Sequence, residues 1–322
     1  MMTFGFTTAS TAMLLSDCGH NPGINKASWP ATDFSRCLVP IDEISSGGPG
    51  KDGIPAIDMV RTIPVAENTT LTPDEPVISL ELNGQARAWP LRVLIWHEIA
   101  NDTLGGVPLA ATYCPLCNAA IVFDRRLEGE VLDFGTTGNL RRSDLVMYDR
   151  QTESWWQQYT GEAIIGAKAG ARLTILPSRL ESWSSFAARH PGGTVLVPTD
   201  PSARHYGANP YRGYDSASFP FLYDGEVPEG IAPLARVVVV EGKAWSLDLI
   251  KSRRQLETGD IIISWSPGQN SALDHVEISK GHDIGTVTVQ RKKNGTLADA
   301  VYDVTFAFVF HAFTPGGVIV TQ

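Results

Sequence analysis

The chain has 322 residues, of which 43% are hydrophobic and 19% are charged, and its formal net charge is −9. A chain of this length can bury a sizeable core in one large or two moderate domains. The negative charge argues against a nucleic-acid-binding protein, because such proteins carry basic surface that neutralises phosphate. No apolar run reaches the roughly 18 to 20 residues that span a bilayer, so we expect no transmembrane helix.

The N-terminus has the pattern of an export signal. Residues 4–16 form a small apolar run, which is followed by Asp17-Cys18-Gly19. A signal sequence that ends in a lipid-modified cysteine has this pattern, although no basic residue precedes the run. We therefore predict a tail or signal-like remnant over residues 1–32. This interpretation makes the protein extracytoplasmic (periplasmic, secreted or lipid-anchored) and allows membrane association through the N-terminus. An ordinary tail is the alternative.

Strand patterns dominate the rest of the chain. Residues 77–82 alternate between faces and end in Asn83-Gly84, which is a strong hairpin signal. Helices are predicted over residues 90–101, which begin with proline, and over residues 178–190, which begin with a serine cap. Residues 301–310 have the pattern of a strand. The sequence predicts a mainly β fold with a few short helices (α+β).

Two parts of the sequence are similar to each other. Residues 78–94 and 237–250 share a strand, a glycine turn, a second strand, an Ala-Trp pair and an apolar helix start. Downstream, residues 112–121 match residues 264–273, so that Cys114 and Cys117 face Ser266 and Gln269, and His97 faces Arg253. We predict two related β-rich halves that suggest internal duplication, namely residues 33–200 and a degenerate copy over 231–322, joined by an irregular connection over 201–230. Chance similarity between hairpins is the alternative.

The motif with the clearest chemistry is Cys114-Pro115-Leu116-Cys117. Two cysteines at this spacing in a turn bring their sulfurs together, and such sulfurs ligate a metal or form a disulfide. His97 is the first candidate to complete a metal site and His311 the second. The donor set predicts copper or zinc, with oxidoreductase or carrier activity. A redox-active dithiol and a purely structural pair are the alternatives.

A second group of polar and aromatic residues follows this hairpin. It predicts a pocket wall that binds a small molecule, in which case the protein is a non-enzymatic binding module. The alternative is structural: Asp149 and Thr152 form a hydrogen-bonded turn and the tryptophans pack in the core. The candidate substrate-binding residues are Arg142, Asp144, Asp149, Arg150, Glu153 and Trp155.

Several longer stretches are similar to a known family. They are residues 46–49, 51–56, 96–99, 112–118, 143–154, 176–178 and 271–274. At these residues the chain resembles the bacterial and archaeal family named domain of unknown function 3179, over roughly residues 33–315. The resemblance implies an exported or membrane-associated location. It implies no reaction, so no catalytic residue is carried over.

Overall fold

The computed structural model describes residues 13–322, so the first part of the predicted signal-like run lies outside the described residues. The fold is mainly β, as predicted, with 39% strand and 14% helix. The described residues form four α-helices of seven residues each, namely α1 (Leu91–His97), α2 (Trp183–Arg189), α3 (Leu247–Arg253) and α4 (Ala307–Phe313). No helix within residues 13–322 has the length and apolar character needed to cross a membrane.

Twenty-four strands are present in the described part of the chain. The first thirteen are β1 (Ile44–Ser46), β2 (Arg61–Pro64), β3 (Pro76–Leu82), β4 (Gln85–Pro90), β5 (Ile99–Leu104), β6 (Val107–Cys114), β7 (Ala119–Asp124), β8 (Arg126–Leu127), β9 (Glu130–Val131), β10 (Phe134–Arg141), β11 (Asp144–Asp149), β12 (Trp155–Gln157) and β13 (Glu162–Ile165). The others are β14 (Thr174–Leu176), β15 (Arg179–Ser182), β16 (Thr194–Val197), β17 (Arg236–Val240), β18 (Lys243–Ser246), β19 (Gln255–Thr258), β20 (Ile261–Ser266), β21 (Thr286–Lys293), β22 (Thr296–Asp299), β23 (Asp303–Phe306) and β24 (Ile319–Val320).

Five sheets of four or five strands form the body and are arranged as a five-bladed β-propeller. Sheet I has the order β1-β10-β11-β12-β13, sheet II β14-β7-β6-β5, and sheet III β15-β3-β4-β16-β2. Sheet IV has the order β23-β17-β18-β24, and sheet V β19-β20-β21-β22. A separate two-stranded ribbon pairs β8 with β9.

The same order of elements occurs twice. In the first half a hairpin (β3, β4), a helix (α1) and a meander (β5, β6, β7, β14) are followed by β15, α2 and β16. In the second half β17, β18, α3, β19 to β22, β23, α4 and β24 follow the same order. Strands β15 and β23 pair antiparallel with β3 and β17, whereas β16 and β24 pair parallel with β4 and β18. Most of sheet I is inserted between β7 and β14 and has no counterpart.

Strand register tests the sequence comparison residue by residue. Helices α1 and α3 end at His97 and Arg253, and Thr112 and Ser264 pair with the first residues of β5 and β19. Cys114 and Ser266 therefore occupy equivalent positions. The comparison is wrong beyond them, because Ser266 pairs with Thr286 across a long loop over residues 267–285. Gln269 lies in that loop and is not equivalent to Cys117.

Three of the predicted boundaries are wrong. The first helix ends at His97, because Glu98 adopts a left-handed conformation (φ 58°) and the chain continues as β5. Ser182 caps α2 by accepting a hydrogen bond from the Ser185 amide, and the residues before it form β15. Residues 301–310 contain β23 and the start of α4. That helix begins with four buried residues, so its sequence lacks the polar face that distinguishes a helix from a buried strand.

The two halves pack through equivalent strands. Strand β15 of the first half packs against β21, and β23 of the second half packs against β7. At the second contact the Phe306 amide and the Thr305 hydroxyl, at 3.1 and 2.7 Å, both donate to the Cys117 carbonyl. The Asn118 side-chain amide donates to the Val304 carbonyl at 2.7 Å. The cysteine hairpin therefore lies at the junction of the halves.

The N-terminal segment is held on sheet I by a disulfide. Cys18 and Cys37 are bonded, with their Cα atoms 5.8 Å apart, and Cys37 is fully buried. The Leu38 amide donates to the Ile164 carbonyl at 2.8 Å. Residues 13–32 thus lie against the body of the protein, and Trp29 is 5% exposed.

Candidate functional site

The two free cysteines lie at the tip of the β6–β7 hairpin. Strand β6 ends at Cys114, and Pro115 follows at a turn position that suits its fixed φ angle. The Cys117 amide donates to the Cys114 carbonyl at 3.2 Å, and Asn118 closes the turn with a positive φ of 52°. Cys114 is 1% exposed and Cys117 is 0% exposed. Both sulfurs are therefore inside the protein and are not joined to each other.

Asp144 is the third donor at this place. One carboxylate oxygen of Asp144 and the sulfurs of Cys114 and Cys117 all lie within 4.8 Å of one another. Its Oδ2 accepts hydrogen bonds from the Gln157 side-chain amide at 2.5 Å and the Tyr159 amide at 2.9 Å. Its Oδ1 is buried and accepts none from the described residues. A buried carboxylate oxygen without a partner is costly, so this atom calls for a ligand.

A strained turn brings Asp144 to the thiols. Strands β10 and β11 are joined at Arg142 and Ser143, which have φ angles of 52° and 65°. Two positive φ angles define a type I′ turn, which normally contains Asn-Gly because other residues are strained there. The turn directs the Ser143 carbonyl at the cysteines, whose thiols donate to it over 3.9 Å from Cys114 and 3.6 Å from Cys117. The turn therefore orients both a carbonyl and a carboxylate.

Two more buried carboxyl groups lie in the surroundings of the thiols. Burial, and then the charge of Asp144, raises the pKa of Glu98 to about 8. Burial raises the pKa of Asp303 to about 7 and that of Asp144 to about 6. Burial also raises the pKa of the Cys114 and Cys117 thiols. Such a concentration of perturbed acids is typical of functional sites.

Other buried polar atoms in this region also lack partners. They are Tyr113 Oη, Gln158 Oε1 and Asp303 Oδ2. In the other half Thr286 stands where Ala119 stands in the cysteine hairpin. There the Thr286 hydroxyl donates to Gln269 Oε1 at 2.9 Å and accepts from the Ser182 amide at 3.3 Å. The polar side chains of Gln269 and of the start of β21 are thus paired with each other, whereas several polar atoms around the cysteine hairpin have no partner among the described residues.

The profile of the family described as "Protein of unknown function (DUF3179)" matches residues 51–317, nearly the whole chain. The chain belongs to this family. The match spans the cysteine hairpin, Asp144 and both halves of the fold. No curated protein and no solved structure gives a significant match. Because the family description states no reaction, the function of this DUF3179 protein is argued from its site.

His97 does not join the donor group of this DUF3179 chain. Its Nδ1 lies 2.8 Å from the Pro55 carbonyl and its Nε2 lies 2.8 Å from Tyr206 Oη. A carbonyl only accepts, so Nδ1 carries the hydrogen and Nε2 accepts from the tyrosine. Burial lowers the pKa of His97, which favours this neutral form. Asp144 lies at the thiols in its place, and the second candidate, His311, is also outside the group.

The remaining predicted binding residues lie in different places. Asp149 accepts from the Thr152 amide at 2.6 Å and from Trp156 Nε1 at 2.8 Å, which is a structural arrangement. Trp155 is fully buried, with its ring centroid 5.0 Å from that of Trp29. Arg142 belongs to the strained turn and is partly exposed.

Arg150 and Glu153 line a separate charged cavity of about 350 Å³ beside Lys51 and Asp58. Their charges are already paired, because Arg150 contacts Asp58 at 2.6 Å and Lys51 contacts Glu153 at 2.5 Å. The six predicted residues therefore do not form one wall. Sequence reasoning also missed Glu98 and Asp303, because a single buried acid in an apolar strand or helix end has no spacing signal.

Proposed function

We propose that this member of the DUF3179 family is an extracytoplasmic protein that binds Zn²⁺ through Cys114, Cys117 and Asp144. One observation carries the proposal: two free sulfurs and a carboxylate oxygen lie within 4.8 Å of one another, and Asp144 Oδ1 is buried without a hydrogen bond from the described residues. A cation at this point gives that oxygen a partner and offsets the charges of the two thiolates.

The donor set favours zinc over copper. Zinc is a borderline metal that binds thiolates and carboxylates in the same site, at distances of roughly 2.0 to 2.3 Å. Monovalent copper prefers soft ligands such as thiolates, and a carboxylate adds little for it. Three protein ligands leave a fourth position for water or a substrate, which is the arrangement of catalytic rather than structural zinc sites. A carrier function uses the same open position for release.

The surroundings of the thiols argue against a thiol–disulfide enzyme. Reactive cysteines are partly exposed and have a lowered pKa, because the thiolate is the nucleophile. Cys114 and Cys117 are buried, and burial raises the pKa of both thiols. A bound metal ion stabilises the thiolate forms directly, and it thereby offsets the effect of burial on the pKa of the thiols.

The proposed location is supported by the disulfide between Cys18 and Cys37. Disulfides persist in oxidising compartments and are rare in the cytosol. The Cys18 sulfur is used in this bond, so a lipid anchor on the same sulfur is incompatible with it. The export proposal therefore depends on the disulfide and not on a lipid.

The repeated order of elements supports an internal duplication. Both halves contain the hairpin, the seven-residue helix and the meander in the same pairing. Ser266 stands at the position of Cys114, and Arg254, with φ 63°, stands at the position of Glu98. We infer that the second half is a copy that retains the order and pairing of the helices and strands, and that it lacks the cysteines.

Metal analysis of protein purified without a histidine tag tests the zinc proposal. We expect one zinc per chain in the wild type and loss of most zinc in Cys114→Ser and Asp144→Asn. His97→Gln distinguishes the ligand set expected from the sequence and is expected to retain zinc. Asp303→Asn is the matched control, because it removes a neighbouring buried carboxylate that is outside the donor group.

Cobalt substitution is a second, spectroscopic test of the same site. Thiolate ligands give Co²⁺ an intense charge-transfer absorption in the near ultraviolet, which weakens when one sulfur is lost. The proposal fails if wild-type protein takes up no zinc or cobalt, or if Asp144→Asn binds as tightly as Asp303→Asn. Copper in place of zinc in the purified protein would instead favour an electron-transfer role.

A further inference from the structure

A cavity of about 550 Å³ lies on the first half, away from the thiols. It is formed by β2, the start of α1, the end of β16 and the connection that follows β16. Its walls are mainly apolar, and they include Ile63, Leu71, Val93 and Leu196. Val93 and Leu196 are fully buried, so the cavity reaches the core. A cavity of this size with apolar walls and a few polar groups has the form of a small-molecule site.

The polar side chains of this cavity include two arginines, an asparagine and Thr70, whose hydroxyl donates to Asn68 Oδ1 at 3.2 Å. Arg61 is exposed at its edge, and within residues 13–322 its side chain has neither an ion pair nor a hydrogen bond. Asn68 Nδ2 is buried and donates to no described residue. Arg92 also lines the cavity, but its guanidinium lies 3.2 Å from Glu75 and donates to the Thr70 carbonyl, so it is already neutralised.

Tyr206 completes the lining of the cavity. Its hydroxyl donates to His97 Nε2, and its ring stacks on His97 with the centroids 5.8 Å apart. The hydrogen of the tyrosine is thereby committed, and the ring contributes an apolar surface. The free hydrogen-bonding capacity of the cavity is consequently dominated by one uncompensated cation and one unpaired amide.

We propose that this cavity binds a small amphipathic carboxylate, with the apolar body inside and the carboxylate at Arg61 and Asn68. Charge complementarity selects this class. Arginine and amide N–H groups match a carboxylate, and the apolar walls stabilise a hydrocarbon or aromatic body. A cationic amphiphile of the same size would place its charge beside an unpaired guanidinium. The proposal is independent of the metal site.

The carboxylate proposal is tested with three probes that share one hydrocarbon body, namely octanoate, octan-1-ol and octylammonium. Calorimetric titration and thermal melting of the full chain are measured with each. We expect saturable octanoate binding that raises Tm, weaker binding of the alcohol, and no Tm increase with octylammonium. Arg61→Gln is expected to weaken octanoate binding about tenfold and leave octanol binding unchanged, because one charge-assisted hydrogen bond is lost.

Arg212→Gln is the matched control, because Arg212 is exposed and does not line the cavity. Ile63→Trp and, separately, Leu71→Trp fill the cavity and are expected to abolish binding of both octanoate and octanol. The proposal is overturned if no probe binds or if octylammonium binds as well as octanoate. It is also overturned if Arg212→Gln weakens binding as much as Arg61→Gln, or if folded cavity-filling variants still bind.

Discussion

Asp144 and Asp149 are the two ends of β11, and both are fully buried. Every oxygen of Asp149 accepts hydrogen bonds, from Thr152 and from Trp156. Asp144 pairs only Oδ2, with Gln157 and Tyr159. Two carboxylates of one strand thus have different roles: one stabilises the fold and the other is available to a cation.

The two aspartates are therefore expected to respond oppositely to the same substitution. Asp149→Asn places an amide N–H among donors and is expected to lower the free energy of unfolding by about 1 to 3 kcal/mol. It leaves the zinc content unchanged. Asp144→Asn abolishes zinc binding but leaves the metal-free protein as stable as the wild type or more so. Urea unfolding of metal-free samples, with zinc analysis of the same preparations, checks both. Equal effects of the two variants would contradict this assignment.

The buried acids predict how the stability of the metal-free protein depends on pH. Burial raises the pKa of Glu98 from its ordinary value of 4.5 to about 8, so the folded state keeps a proton that the unfolded chain has lost. Stability therefore falls as pH rises between these values, and the loss is complete above about pH 8. Each difference of one in pKa corresponds to about 1.4 kcal/mol.

Glu98→Gln is expected to make the loss of stability between roughly pH 5 and 8 smaller, and the buried Asp144 and Asp303 account for the dependence that remains. Chemical unfolding of both proteins at each pH measures the free energy of unfolding. Glu128→Gln, at an exposed glutamate, is the control and is expected to leave the dependence unchanged. A pH profile of Glu98→Gln that coincides with the wild type would contradict the buried position of this carboxyl.

His97 and Glu98 illustrate what the sequence specifies and what it does not. The cysteine spacing predicted the two sulfur donors directly, because a turn of this length leaves them no other arrangement. Proximity in sequence predicts His97 as the third donor. The left-handed conformation of Glu98 ends the helix there, and the His97 ring nitrogens contact Pro55 and Tyr206 instead. Asp144 belongs to another sheet, and no local pattern specifies which sheets meet.

At the scale of elements, the connection between the halves covers the cysteine hairpin. Tyr214 donates its hydroxyl to the Leu116 carbonyl at 3.0 Å, inside the Cys-Pro-Leu-Cys turn. Ser143 donates its hydroxyl to the Phe221 carbonyl at 2.6 Å. These side-chain hydrogen bonds join residues 214–221 to the two turns that carry the donors. Because both sulfurs are buried, a reagent reaches them only when some covering element moves.

Tyr214→Phe is expected to speed the modification of the metal-free thiols by a disulfide reagent roughly fivefold, the effect of one lost hydrogen bond. Tyr302→Phe is the matched control, because it removes a similar bond, from Tyr302 to the Val287 carbonyl at 2.8 Å, in the second half. Stopped-flow or manual mixing measures the rates. If the two variants accelerate modification equally, exposure occurs by global unfolding and not by movement of this connection.

At the scale of the whole molecule, the disulfide ties the N-terminal segment to sheet I. Cys18 and Cys37 are 19 residues apart, so the bond closes a short loop. Replacing both with serine is expected to lower the free energy of unfolding by about 2 to 4 kcal/mol, chiefly by enlarging the unfolded ensemble. Zinc content should stay the same. The measurement is chemical denaturation of the wild type and the variant, each with and without a reducing agent. If the reducing agent destabilises the variant as much as the wild type, the effect does not come from this disulfide.

The packing of β15 on β21 and of β23 on β7 makes the halves reciprocal partners. Each half contributes one strand that packs against a sheet of the other half. The arrangement resembles two subunits that exchange an element, but both halves belong to one polypeptide. The half that lacks sulfur supplies Asp303 and Phe306 to the hairpin of the half that has it. The two halves are not equal at the hairpin, because Ser266 stands where the first half has Cys114, and Asp144 belongs to the inserted sheet I. The half without cysteines therefore supports the hairpin that carries them, through hydrogen bonds to Cys117 and Ala120.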